Sequence, residues 1–201
     1  MRREAFIALI SRGLSPARSV MQAGYFASHH RMSIRVIDGL SLVDAKNEAV
    51  EIATNNYQDL IIVEDDVVAS GEQWQQLRCA KTIAVTAARH RDGKLMIEFD
   101  AAGRVLFTGS TFLKIPLEIL RQFEPPVFRC WNVGISDDKK LFLQEKRDDG
   151  LLSNMYFWYC VQLLGEPVEY LGEVKHLQHP LNNGVHNHAN PIEIKEIYEY
   201  K

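Results

Sequence analysis

The run from Asp59 to Asp66 constrains the fold of this chain most, because four apolar residues are followed at once by three acids. A short apolar run bounded by polar residues is typical of a buried strand. Polar side chains that follow such a strand emerge at the edge of the sheet, where open α/β folds hold their ligands. A solvated turn or a helix cap is the alternative interpretation of the three acids.

Strands and helices alternate through the first half of the sequence. Apolar runs predict strands at 5–10, 34–37 and 60–63, and amphipathic patterns predict helices from about 16 to 29 and from about 43 to 55. This order indicates a βαβαβ unit with a parallel sheet.

The second half has a less regular pattern. Its predicted elements are a short helix at 72–80, strands at 82–87, 95–99 and 105–107, a helix at 116–123, an apolar helix at 151–164 and a strand at 168–174. Loops are expected over 128–147, and a surface helix or a frayed tail over 192–201.

Composition narrows the class of protein. With 201 residues, of which 46% are hydrophobic and 24% charged, the chain suits one globular domain. A net charge of -3 and a pI near 6.2 argue against a nucleic-acid partner, which needs a concentrated basic face. Three cysteines without metal-site spacing predict reduced core thiols and a cytoplasmic protein. The amino terminus lacks a signal-peptide cleavage motif, and no transmembrane segment is expected.

The three acids that follow the strand need a cation. Adjacent carboxylates repel one another unless a metal ion or a cationic side chain neutralises them, and a hard divalent ion is the simplest solution. Because side chains alternate along an extended chain, Glu64 and Asp66 are expected to point to one side and Asp65 to the other.

Polar residues also follow the first two predicted strands. Ser11 and Arg12 follow the first strand, and Asp38 follows the second. Parallel strands present their carboxyl ends at one edge, so these residues and the three acids are expected to line one crevice. A Mn²⁺ or Mg²⁺ ion held there would keep open positions for phosphate oxygens, which predicts a phosphorylated ligand.

At these residues the chain resembles glycosyltransferases with the GT-A fold. The resemblance is carried by Val-Ile-Asp-Gly at 36–39, Ala-Lys-Asn-Glu-Ala at 45–49 and Leu-Ile-Ile-Val-Glu-Asp-Asp at 60–66. Later segments are similar to the family's sugar-pocket wall, its acidic pair and its late histidine, at 108–123, 148–152 and 174–176 respectively.

The resemblance implies an α/β fold formed by a single GT-A-like, Rossmann-like domain over 1–201, with a mixed, mainly parallel sheet flanked by helices. Residues 1–107 would form the nucleotide- and metal-binding half, residues 108–180 the acceptor side, and residues 181–201 a tail. Ser11-Arg12-Gly13 does not supply the glycine-rich phosphate loop of a sugar nucleotidyltransferase.

The resemblance also assigns roles to individual residues. Asp38 would contact the base or ribose of the nucleotide, and Glu64 the ribose or donor sugar. Asp66 and His176 would hold the Mn²⁺ or Mg²⁺ ion that bridges the diphosphate. Lys46 stands where the family often has arginine and would contact the phosphate or base as a point charge.

The remaining site residues complete this scheme. Ser11, Arg12 and Asp65 are assigned to the donor site. Asp149 is the predicted catalytic base that accepts the proton of the acceptor hydroxyl, with Asp148 as the second candidate. The alternative interpretation of this acidic pair is an N-terminal cap of the helix that follows.

The function predicted from the sequence is metal-dependent transfer of a sugar from a nucleotide-diphosphate sugar to an acceptor hydroxyl on a glycan or protein, with inversion expected. A magnesium-dependent phosphohydrolase or nuclease, which uses the same acids to activate water, is one alternative. A non-catalytic carbohydrate-binding or structural relative of the same fold is the other.

Overall fold

The computed structural model describes residues 5–11, 17–56, 58–89, 93–109, 112–146 and 153–177. Its helices are α1 (Ala17–His30), α2 (Leu42–Asn55), α3 (Gly71–Cys79), α4 (Leu117–Leu120) and α5 (Ser153–Leu164). Its strands are β1 (Ala5–Ile10), β2 (Ser33–Ile37), β3 (Asp59–Glu64), β4 (Val67–Val68), β5 (Ile83–Ala87), β6 (Ile97–Phe99), β7 (Val105–Thr108), β8 (Phe112–Ile115), β9 (Trp131–Ile135), β10 (Leu141–Lys146), β11 (Val168–Glu173) and β12 (Lys175–His176).

The main sheet has six strands in the order β11-β5-β8-β3-β1-β2. Strands β2, β1 and β3 pair in parallel, and β11 pairs in parallel with β5. Strand β8 lies between β3 and β5 and is antiparallel to both. The predicted mixed, mainly parallel α/β sheet flanked by helices is therefore confirmed, and it is compatible with a Rossmann-like fold.

Helices cover both faces of this sheet. All six residues of β1 are buried, and alternate side chains enter the two cores. The core that includes Phe6 and Ile10 contains residues of α2, α4 and α5, whereas the core that includes Ile7 and Leu9 contains residues of α1 and α3. Burial on both faces explains why β1 and β3 are apolar over most of their length.

Local capping fixes where α2 begins. The Ser41 hydroxyl accepts a hydrogen bond from the Asp44 amide at 3.2 Å and caps α2. On the face of α2 that meets the sheet, Ala45, Ala49 and Ala53 recur every fourth residue, which allows close packing. The first turn of α2 is therefore held directly beside the end of β3.

Several predicted elements need correction. The segment expected to be loops at 128–147 contains the antiparallel pair β9–β10, and the helix expected to reach residue 123 ends at Leu120. Strands β4 and β12 were not expected. The prediction of core thiols is wrong for Cys79, which is exposed, while Cys130 and Cys160 are partly buried. Within the described residues, no helix has the length and apolar character needed to cross a bilayer.

Candidate functional site

The ends of the first three strands lie in register at one edge of the sheet. Ile10 pairs with Ile37 of β2 on one side and with Glu64 of β3 on the other. The Ser11 amide donates to the Ile37 carbonyl at 2.9 Å, and the Asp65 amide donates to the Ile10 carbonyl at 3.1 Å. The chain leaves β1 toward β2 on one side and leaves β2 toward β3 on the other side of β1, so this edge of the sheet has a topological switch point. The crevice expected from the sequence would lie at this point.

The polar residues of the first two strand ends differ in exposure. Ser11 is buried between the ends of β2 and β3, whereas Asp38 is exposed. A ligand in the crevice would therefore meet the Asp38 carboxylate from solvent without breaking core contacts. Arg12, which the sequence also assigned to this site, lies outside the described residues.

The three acids after β3 are sheltered from water. The Glu64 side chain is 15% exposed, and Asp65 and Asp66 are 0% and 3% exposed. Strand β3 ends at Glu64, and residues 65–66 form a turn. The expected alternation of the three side chains assumed an extended chain through Asp66, so it does not apply beyond Glu64.

Lys46 supplies a cation to one of these acids. Its side chain is 1% exposed, and its Nζ lies 3.3 Å from Glu64 Oε1. The same ammonium donates to Asn154 Oδ1 at 2.7 Å, in the first turn of α5. The cationic partner that three adjacent acids require is thus partly provided by the chain itself.

Asn47 fixes the chain segment that encloses this ammonium. Its side-chain amide donates to the Phe128 carbonyl at 2.9 Å, and its Oδ1 accepts from the Phe128 amide at 3.0 Å. The fully buried Phe128 ring lies with its centroid 5.8 Å from Lys46 Nζ, within cation–π range. Lys46 and Asn47 therefore both bind other residues of the protein, and through these contacts they hold the end of β3, the start of α5 and the segment at Phe128 together.

The late histidine lies on a strand that returns to the acids. Strand β12 pairs with β4 in antiparallel register, so that His176 is opposite Val67, the residue after Asp66. The Leu177 amide donates to the Asp66 carbonyl. Neighbouring strands lie about 4.8 Å apart. The backbone of residue 176 is therefore adjacent to the acidic turn, and the His176 side chain lies outside what the structure describes.

Side-chain amides hold these two short strands. Gln22 of α1 exchanges hydrogen bonds with the backbone of Ala69, directly after β4. Gln73 of α3 donates to the carbonyls of Leu171 at 3.2 Å and Glu173 at 2.9 Å, at the irregular end of β11. Both amides bind backbone groups that regular pairing leaves over, which explains how β4 and β12 meet.

Helix α5 connects the crevice to the later part of the chain. Asn154 contacts Lys46, and one turn later the Trp158 indole donates to the Thr108 carbonyl at 3.0 Å. Asp148 and Asp149 lie outside the described residues, so their role stays a prediction. Asn154 was missed from the sequence, although a polar residue in the first turn of an apolar helix is a usable signal.

No group of three histidine, cysteine, aspartate or glutamate side chains that could hold a metal ion occurs within the described ranges. Comparison with known proteins finds no family model that matches the chain and no curated protein with significant sequence similarity. The arrangement of the chain's own residues is therefore the guide to what it binds.

Proposed function

We propose that this protein is a glycosyltransferase of the GT-A type that binds a nucleotide-diphosphate sugar at the carboxyl edge of β1, β2 and β3. Transfer to an acceptor hydroxyl would occur on the side of the crevice where α5 begins. The fold, a mainly parallel sheet with a switch point at this edge, supports a nucleotide site there.

The return of β12 to β4 is the observation that carries the proposal. These strands are far apart in the sequence, yet their pairing brings the backbone of His176 beside the turn that contains Asp65 and Asp66. If the acids only formed a solvated turn, they would be exposed, and no later strand would pack against them. In the structure Asp65 and Asp66 are buried, and β12 lies beside them. A shared ligand site accounts for both features.

Asp65 and Asp66, together with the His176 side chain that lies outside the described residues, have the donor chemistry that a divalent cation requires. Asp65 and Asp66 offer carboxylate oxygens that are sheltered from bulk water, and carboxylate and imidazole groups both suit Mn²⁺. Asp66 and His176 would hold the ion, with Asp65 beside them. When bound, the cation would neutralise negative charge on the diphosphate leaving group.

The other site residues would bind and orient the nucleotide sugar, and one of them would accept a proton from the acceptor. The exposed Asp38 carboxylate would bind a ribose hydroxyl or the base, and the buried Ser11 would border the diphosphate. Glu64 would accept a hydrogen bond from the ribose or donor sugar. Asp149, four residues before Ser153 at the start of α5, would accept the proton of the acceptor hydroxyl as the sugar carbon is attacked.

Thermal unfolding with UDP or GDP, each with and without MnCl₂, tests this proposal. A ligand at a hundredfold excess over its Kd stabilises the folded state by about 2.7 kcal/mol. For a domain of this size, that corresponds to a rise in Tm of roughly 5–11 °C. We expect this rise only with nucleotide and metal together, and we expect Asp66→Asn to abolish it.

Two further variants complete the experiment. Glu48→Gln removes an acidic charge from the outer side of α2 and should leave the nucleotide response unchanged. Asp149→Asn should retain the response and lose transfer by about 10²- to 10⁴-fold. No response to any nucleotide would favour a structural relative, and hydrolysis of a generic phosphodiester that Asp66→Asn abolishes would favour the phosphohydrolase.

A further inference from the structure

Lys46 joins two parts of the molecule that the proposed reaction must hold together. Its ammonium contacts Glu64 at the end of β3 and Asn154 in the first turn of α5, at 3.3 and 2.7 Å. Glu64 and Asn154 are far apart in the sequence, so Lys46 links two distant segments of the chain through tertiary contacts. One partner, Glu64, ends β3, and the other, Asn154, follows the predicted base Asp149 by five residues in the sequence.

The position of this ammonium is costly and well enclosed. The Lys46 side chain is 1% exposed, and its Nζ lies 5.8 Å from the centroid of the Phe128 ring. Phe128 belongs to the segment that the Asn47 side chain binds to α2. An ammonium withdrawn from water is tolerated only when its partners are fixed. Each partner is thereby held in one orientation by the same charged group.

A second buried lysine shows what a purely structural role looks like. Lys114 on β8 pairs with Asp59 at 3.2 Å and donates to the carbonyls of Ala80 at 2.6 Å and Arg78 at 3.2 Å. Asp59 begins β3, Arg78 is in the last turn of α3, and Ala80 directly follows that helix, so these partners are not at the ends of β1 to β3. The two lysines are equally buried, but Lys46 binds the carboxyl end of β3 and Lys114 binds its amino end.

We infer that Lys46 is a positioning residue that sets the Glu64 carboxylate and the first turn of α5 relative to each other. This inference rests on the proposed function and replaces the phosphate or base contact that the resemblance implied for Lys46, because Lys46 acts through Glu64 and Asn154 and does not contact the nucleotide. The donor-side acid and the acceptor-side helix are then aligned by one ammonium group.

Hydrogen exchange and nucleotide affinity together test this role. In Lys46→Met and in Asn154→Ala, we expect the second-turn amides of α5, which donate to first-turn carbonyls, to exchange at least tenfold faster than in the wild-type chain. Affinity for UDP or GDP with MnCl₂ should change less than about threefold, since neither residue contacts the nucleotide. Release of nucleoside diphosphate from UDP-glucose or GDP-mannose should fall at least tenfold in kcat with little change in KM.

The controls separate positioning from general destabilisation. Lys114→Met removes an equally buried ammonium and should leave exchange in the second turn of α5 unchanged at matched stability. Lys46→Arg retains a charge and donors and should restore most of the protection that Lys46→Met loses. Asn154→Ala removes the contact between Lys46 and α5 while the lysine stays in place. If Lys46→Met does not fold, this variant alone tests whether the contact positions α5.

Two results would overturn the inference. One is unchanged exchange in α5 for both Lys46→Met and Asn154→Ala. The other is a loss of nucleotide affinity of tenfold or more in Lys46→Met without faster exchange, which would make Lys46 a direct ligand. If the wild-type chain binds no nucleotide, the proposed function fails, and the exchange measurement alone decides whether the cross-link holds α5.

Discussion

At the scale of single residues, the three acids at the end of β3 differ in the groups that surround them. Glu64 has an ammonium at 3.3 Å, supplied by Lys46, whereas Asp65 and Asp66 lie in a turn beside β12. The sequence predicted that a cation was needed but could not tell a metal from a lysine. The partner became visible only when α2 packed over β3, because that contact joins residues remote in the chain.

Asp59→Ala is expected to destabilise the protein strongly. The Asp59 carboxylate pairs with the buried Lys114 at 3.2 Å and accepts from the Leu117 amide at 3.0 Å. Its removal leaves a buried ammonium without its counter-charge, which costs about 3–5 kcal/mol. Urea denaturation measures this loss in the free energy of unfolding.

The surface pair between Arg35 and Glu48, with atoms 3.1 Å apart, is the matched control. Arg35 is 59% exposed, so Glu48→Ala should cost less than about 1 kcal/mol. Equal losses in the two variants would show that burial does not determine the strength of these pairs.

At the scale of secondary-structure elements, the sequence predicted the periodic segments well. The three parallel strands and the two helices of the first half were located to within one or two residues, because the strands are apolar runs and the helices carry an apolar period. The pair β9–β10 was missed although Trp131, Val133 and Ile135 alternate with polar or small residues. That alternation is typical of a strand and was a usable signal.

Strands β4 and β12 could not have been predicted from local pattern. Each has two residues, too few to show a period. They exist because β11 ends irregularly and because side-chain amides from α1 and α3 hold the backbone on either side. The part of the candidate site that depends on His176 therefore rests on tertiary contacts.

Gln73→Ala should loosen this part of the structure. The variant loses the capping contact to the Ser70 amide at 2.9 Å and both contacts to the end of β11. We expect a loss of about 2 kcal/mol in the free energy of unfolding, since each hydrogen bond contributes about 0.5–1.5 kcal/mol. Amides of Val174 and His176 should exchange faster with solvent.

Gln76→Ala provides the control on the same helix. Gln76 is exposed, and its side chain reaches only Glu72 at 3.3 Å among the contacts described. Its replacement should change stability by no more than about 0.5 kcal/mol. Unaltered exchange at residues 174–176 in Gln73→Ala would mean that Gln73 does not hold β12.

At the scale of the whole molecule, fold class was predictable and strand order was not. The alternation of strands and helices predicted a mainly parallel sheet, and the structure confirms it. The insertion of β8 between β3 and β5, antiparallel to both, follows from pairings between distant segments that no local pattern encodes. The convergence of strand ends at one crevice followed directly from the parallel order.

A crystal structure of the protein with MnCl₂ and UDP or GDP, with anomalous scattering recorded for manganese, tests whether Asp66 and His176 share a metal ion. We expect a manganese peak coordinated by both residues, with the diphosphate at the ends of β1 and β3. A nucleotide bound elsewhere, or an Asp66 and His176 pair that shares no ion at saturating metal and nucleotide, would contradict it.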